Sequence, residues 1–332
     1  MIRWAIAALA ALLAVPASAG NPMLFEDRTV AAIDERAIRF YIDRPDSNEQ
    51  VPLLLLVDGS GCVGQRRASS WHSYDPAYYP QHRYARLMVE KPGVDPHADD
   101  FAAPCSEDFR RYYDIDSRVT DHLRVLQHLA ATADWWNGEL LVWGWSDGGD
   151  IAARLVAYRP QTTRAVLGAM GGGLTMEEHF ERFWACPEGR FETDAERERC
   201  LADLRGDFAR IHDNPTWQET WSGHDNTNKV WATRLRARLS APLADNRVPL
   251  LIVHGELDAD STPVESARAL VADLTANGNT AFTYWEVPGM KHGWDDLPDD
   301  RQSALVTGML DWLMTGSIDG GKRRRALELS AD

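Results

Sequence analysis

The sequence predicts an α/β fold: a mostly parallel central sheet flanked by helices, with one mainly helical insertion. Two observations carry the prediction. Short apolar runs alternate with amphipathic stretches along most of the chain, and continuous apolar runs are what strands covered on both faces look like. The alternation lapses once, between 174 and 246, where the chain is charged and mostly helix-like and has no clear buried strand.

Residues 1–19 combine a basic Arg3, an apolar run from 4 to 15 and Ala17-Ser18-Ala19. This is the pattern of a secretory signal peptide ending in small residues, so cleavage before Gly20 is expected. The run is short for a membrane span of about 20 residues. The mature protein is therefore expected to be exported, either periplasmic or secreted, with no stable membrane insertion after cleavage. Next, 29–33 and 37–42 read as an antiparallel pair turning at Asp34-Glu35-Arg36. The run 51–57 reads as a strand buried on both faces, and 86–90 as the next strand. Between them, Trp71, Tyr74, Tyr78 and Tyr79 lie in a loop as surface or pocket aromatics. Residues 101–114 mix charge with aromatics and read as a loop. In 117–131, Val119, Leu123, Leu126 and Leu129 share one helical side. Further on, 140–143, 164–169, 249–253 and 281–287 read as strands. Helices are expected over 150–158, 263–276 and, closing the fold, 303–313. Lys322-Arg323-Arg324-Arg325 follows a Gly-Gly pair and reads as a solvated, disordered tail over 321–332.

A net charge of −15 argues against a nucleic-acid partner, since neutralising phosphates needs a basic face. All four cysteines lie beyond the expected cleavage point. An even number in an oxidising compartment points to disulfides, and three pairings are open. Cys62 with Cys105 and Cys186 with Cys200 are favoured. No C-x-x-C spacing or histidine–cysteine cluster supports a metal site.

Gly144-Trp145-Ser146-Asp147-Gly148-Gly149 joins the strand 140–143 to the helix 150–158. A serine between glycines two residues away on each side, at a strand-to-helix turn, has the G-x-S-x-G pattern. The turn strains the serine backbone and brings neighbouring chain so close that side chains at 144 and 148 would clash. It exposes the Ser146 hydroxyl at the sheet edge and aims the Asp147 N–H where an oxyanion would form.

With this elbow, the chain resembles the α/β-hydrolase superfamily over nearly all of its mature length. The stretch His254-Gly255-Glu256-Leu257-Asp258 after the strand 249–253 is similar to the family's acid turn. Pro288-Gly289-Met290-Lys291-His292-Gly293 is similar to its histidine loop. The resemblance implies Ser146 as nucleophile, Asp258 as acid and His292 as base, in the family's chain order. His254 is the nearest competitor as base, but it stands at a strand end where burial is expected. His179, His212 and His224 lie in the insertion and read as surface or structural residues. The family's second oxyanion donor follows its third strand, commonly beyond a His-Gly pair. Here Asp58 stands where that histidine would be, so the N–H of Ser60 is the candidate and Gly61 the rival.

The implied organisation is a signal peptide (1–19), a core in two parts (20–173 and 247–320), a helical cap (174–246) and the basic tail. The cap is expected to set specificity, with Trp221 and Trp231 affecting bulky acyl groups most. The implied chemistry is acyl transfer on a small ester or a short peptide-like substrate, with no metal or organic cofactor. The elbow is also similar to that of prolyl oligopeptidase-type peptidases, although the chain has no room for their propeller and Asp147 replaces their usual tyrosine. A non-catalytic binding protein on the same scaffold is the reading from another class.

Overall fold

The computed structural model describes residues 23–65, 84–98, 100, 103–222 and 226–327. The expected signal peptide, the aromatics at 71, 74, 78 and 79, and His224 lie outside the described residues. Eight strands form one sheet: β1 (Met23–Ala31), β2 (Ala37–Pro45), β3 (Val51–Val57), β4 (Ala85–Val89), β5 (Trp136–Trp145), β6 (Arg164–Gly168), β7 (Leu250–Gly255) and β8 (Phe282–Val287). Their order is β1-β2-β4-β3-β5-β6-β7-β8. The β1–β2 and β2–β4 pairs are antiparallel, and all the others are parallel. The sheet is thus mostly parallel, as the apolar runs predict.

Side chains alternate across this sheet and feed two cores. From β3, Leu53, Leu55 and Val57 enter one core, and Leu54 and Leu56 enter the other. The same division sends Leu250 and Ile252 of β7 one way and Leu251 and Val253 the other. This is why the central strands read as unbroken apolar runs rather than as alternating ones.

The helices before the insertion are α1 (Glu107–Tyr112), α2 (Ile115–Thr132) and α3 (Asp147–Tyr158). Those within it are α4 (Met176–His179), α5 (Asp194–Asp213), α6 (Asn228–Arg234) and α7 (Ser240–Leu243), with a π-helical turn over Phe180–Trp184 after α4. The chain ends in α8 (Val264–Ala276), α9 (Asp299–Thr315) and α10 (Gly320–Ala326). Helices α2, α3 and α8 cover the first face, and α9 covers the second. No helix among the described residues is long and apolar enough to cross a membrane.

Two segments depart from the sequence expectations. The stretch read as a loop over 101–114 holds α1, because the Ser106 side chain accepts the Phe109 N–H at 3.0 Å and Phe109 is buried. The tail read as disordered is helical through Ala326. Asp319 caps α10 by accepting the Lys322 N–H at 3.0 Å, Lys322 pairs with Asp311 and Arg325 with Asp300, and Ala326 is buried. Two of the four basic residues are thus paired with acids on α9, which composition alone does not show.

The segment between β6 and β7 has an apolar cluster of its own, including Phe180, Leu204, Phe208, Ile211, Trp231 and Leu235. A disulfide joins Cys186 to Cys200 beside it, and a second joins Cys62, after β3, to Cys105, just before α1. Val230 of α6 packs with Phe109 and Tyr113, seating the insertion on the start of α2.

Candidate active site

The parallel strands point the same way, so their C-terminal ends share one rim, where open α/β sheets present their functional loops. At the end of β5 the chain turns straight into α3 at Ser146, whose φ of 58° and ψ of −129° lie outside the regions that side chains prefer. The flanking glycines explain how this turn closes. A Cβ on Gly144 would stand 2.1 Å from the Gly148 carbonyl oxygen, and one on Gly148 would stand 2.0 Å from that of Val57. The elbow is therefore packed directly on the end of β3. The Ser146 N–H is spent on the Gly168 carbonyl at 2.9 Å. Asp147 is the first residue of α3, so its N–H has no acceptor within that helix.

Asp258 and His292 come to this serine from the loops after β7 and β8. His292 Nε2 lies 2.9 Å from Ser146 Oγ, and Nδ1 lies 2.7 Å from Asp258 Oδ2. With Nδ1–H donating to the carboxylate, Nε2 is left as acceptor for the serine hydroxyl. Trp145 holds the histidine loop from the other side: its indole N–H donates to the His292 carbonyl at 2.9 Å, and its ring meets Trp294 edge-on. The Asp258 carboxylate also accepts the Thr262 N–H at 3.0 Å. Burial opposes its ionisation, but the bonds from His292 and Thr262 outweigh burial and hold the carboxyl below its ordinary range.

His254 lies behind the acid. Its Nε2 is 2.7 Å from the Thr262 carbonyl oxygen and 3.6 Å from Asp258 Oδ2. Burial lowers its basicity. In the insertion, His179 is buried, and neither ring nitrogen has a partner among the described residues. Burial pushes it down to about 4. His212 Nε2 stands 3.2 Å from Glu177. No group of three or more metal-ligating side chains occurs among the described residues.

The loop after β3 reaches the serine as well. A Cβ on Gly59 would sit 3.7 Å from that of Ser146. Its carbonyl oxygens are tied down beneath: the Lys91 ammonium donates to Gly59 at 3.0 Å and Ser60 at 3.4 Å, and Arg118 Nη2 donates to Asp58 at 2.8 Å. Lys91 also pairs with the Asp58 carboxylate at 3.1 Å. Asp58, standing where the resemblance implies a histidine, thus has a partner of its own.

Sequence reasoning missed the groups around the Asp147 side chain. The carboxylate is buried and accepts from Tyr113 Oη at 2.7 Å and Arg118 Nη1 at 2.8 Å. Arg234 Nη2 stands 2.7 Å from the other oxygen, as an ion pair rather than an aligned hydrogen bond. Burial opposes the charge, but Arg234, Arg118 and Tyr113 prevail and hold the carboxyl below its ordinary range. The one available signal is Asp147 itself, since a carboxylate wedged between glycines at a tight elbow needs cations. Trp221 and Trp231, by contrast, belong to the insertion's own core. Trp231 Nε1 donates to the Trp221 carbonyl and Trp221 Nε1 to Asp207, and both rings pack on Phe180.

No protein-family model matches the chain, and no curated protein matches it. Solved structures do. Est1E from Butyrivibrio proteoclasticus with ferulic acid bound superposes with a TM-score of 0.59 at 16% identity, over 87% of this chain and 98% of that one. Pyrococcus furiosus esterase Pf2001 gives 0.54 at 12%, over 88% and 93%. Pyrococcus horikoshii acylaminoacyl peptidase gives 0.56 at 12%, over 87% of this chain but only 41% of its own length. These neighbours have the α/β-hydrolase fold. The strand order, the helices on both faces and these superpositions together show that the chain has the α/β-hydrolase fold.

Proposed function

We propose that the protein is a serine hydrolase that cleaves a carboxylic ester through an acyl-enzyme on Ser146. The hydrogen-bonded series from Asp258 through His292 to Ser146, at 2.7 and 2.9 Å, carries this reading. In the first step Ser146 Oγ bonds to the acyl carbon while its proton passes to His292 Nε2, and the carbonyl electrons move onto oxygen. The C–O bond to the leaving alcohol then breaks, and His292 returns the proton to that alcohol. Water repeats the sequence to release the acid. Asp258 holds the imidazole orientation and stabilises the imidazolium. The N–H groups of Asp147 and Ser60 are assigned to the oxyanion, each contributing roughly 3 kcal/mol in sites of this kind. The insertion over 174–246 is assigned as a cap.

A second reading, cleavage of aminoacyl or peptide amides, draws on the Gly-Trp-Ser-Asp-Gly-Gly elbow and the peptidase among the structural neighbours. We also assign the protein to an exported compartment, consistent with Arg3 and the apolar run after it and with two disulfides. A panel of p-nitrophenyl acyl esters and aminoacyl p-nitroanilides tests the activity. Ester turnover by the wild type should fall on the order of 10⁴-fold in Ser146→Ala and in His292→Ala. Wild-type turnover by Ser146→Ala would overturn the reading, and turnover of anilides alone would replace ester by amide.

A further inference from the structure

The Asp147 side chain joins three parts of the molecule at one point. Its backbone N–H, free of any acceptor within α3, is the one assigned to the oxyanion, and its carboxylate is buried in the protein. There it meets Tyr113, which precedes α2, Arg118 within α2, and Arg234 at the end of α6 in the insertion. Arg234 Nη2 also donates to Tyr113 Oη at 3.0 Å, so the two partners are themselves linked. Arg118 serves both walls of the oxyanion site, since one guanidinium holds the Asp147 carboxylate at 2.8 Å and the Asp58 carbonyl at 2.8 Å. A planar guanidinium spaces its nitrogens rigidly, which makes Arg118 a fixed strut between the elbow and the loop after β3.

On the reading that Ser146 carries acyl transfer, we infer that Arg234 is a positioning residue of the oxyanion site and that the insertion is a working part of the catalytic apparatus. The reasoning is geometric. An oxyanion donor is effective only when it is aimed before the reaction begins, because reorienting it during the reaction forfeits the gain. Asp147 is fixed through its side chain at both carboxylate oxygens. Removing Arg234 leaves one of those oxygens buried without its cation, and the group must move or be hydrated to recover. Movement at Asp147 moves its N–H. The insertion helix is seated firmly enough to transmit this: Lys229 pairs with Asp114 at 2.8 Å, and the Thr233 carbonyl accepts from Arg154 at 3.4 Å.

The test uses the mature protein and its Arg234→Met and Asp147→Asn variants. Readouts are kcat, KM and inhibition by an aryl trifluoromethyl ketone, which adds to a serine hydroxyl to form a tetrahedral oxyanion. Arg234→Met should lower kcat about 30-fold or more while KM changes less than about threefold, and ketone binding should weaken in step with kcat/KM. A cap that merely shaped the substrate pocket would move KM instead. Circular dichroism checks folding. Should Arg234→Met fail to fold, the isosteric Asp147→Asn decides, with the same loss of kcat at near-constant KM expected. Wild-type kcat in a folded variant, or a loss appearing only in KM, overturns the inference. A wild type that turns over ester and is labelled at Ser146 by a fluorophosphonate, combined with such a result, sinks the role of Arg234 alone. A wild type that is neither active nor labelled sinks the acyl-transfer reading itself.

Discussion

Asp150, one turn into α3, is predicted to make the protein less stable as pH rises. Its Oδ1 accepts the Gly171 N–H at 3.0 Å, and it borders a cavity of about 20 Å³ shared with Arg154, His179 and Arg234. A space of that size holds about one water, too little to hydrate a carboxylate. Burial first, and then the neighbouring Asp147 charge, push its carboxyl from 3.8 up to about 7. Between those values the unfolded chain releases a proton that the folded chain keeps. The stabilisation tied to this proton is complete below the unfolded value and is lost as pH rises through about 7. At 1.36 kcal/mol per pH unit the loss is on the order of 4 kcal/mol. Asp150→Asn keeps the acceptor for Gly171 and carries no charge, so it escapes the loss. Urea unfolding of the two proteins at pH 4 and pH 8 isolates the effect, because the other ionisable groups largely cancel in the difference. The variant should match the wild type within about 1 kcal/mol at pH 4 and exceed it by several kcal/mol at pH 8. An equal difference at both pH values, or a less stable variant at pH 8, would refute the argument.

Removing the crosslinks should act through the unfolded chain. For separations of 43 and 14 residues, replacing Cys62 and Cys105 by Ser should cost about 4 kcal/mol, and replacing Cys186 and Cys200 about 3. Unchanged urea midpoints would contradict this, as would peptides linking Cys62 to Cys186 or Cys200 in unreduced digests. Trp231→Ala removes a ring from the insertion's own core and should cost about 3–5 kcal/mol. Activity on acetyl and bulky acyl esters should fall by the same factor, and a selective loss on the bulky ones would make Trp231 a substrate contact instead.

The sheet was legible because its central strands are covered on both faces, which writes an unbroken apolar run such as 51–57 into the chain. The elbow was legible for a related reason: only glycine fits where Gly148 meets the Val57 carbonyl, so the steric constraint appears directly as sequence. Asp258 and His292 are candidates because their loops resemble the family's acid turn and histidine loop, and the structure brings both side chains into line with Ser146. What stayed hidden were pairings between distant polar residues. Arg118 and Arg234 read as ordinary helical arginines, since nothing near them in the chain announces that Asp147 lies 29 and 87 positions away from them. Helix α10 was hidden likewise, because a basic run looks solvated until Asp300 and Asp311 are brought beside it. The short α1 is marked in the sequence only by Ser106 and the acidic residues after it, a capping signal with no apolar periodicity behind it. The tryptophans of the insertion misled in the opposite direction, since large aromatics beside an expected cap suggest a pocket, whereas here they build a second core.

The most direct test of the account is to trap its covalent intermediate. The mature protein is mixed with a p-nitrophenyl ester, quenched in acid during turnover, and examined by intact mass and peptide mapping. The account predicts one acyl group on the peptide carrying Ser146, formed no more slowly than p-nitrophenol is released in steady state, and none in Ser146→Ala. An acyl group on another residue, with Ser146→Ala still fully active, would contradict it.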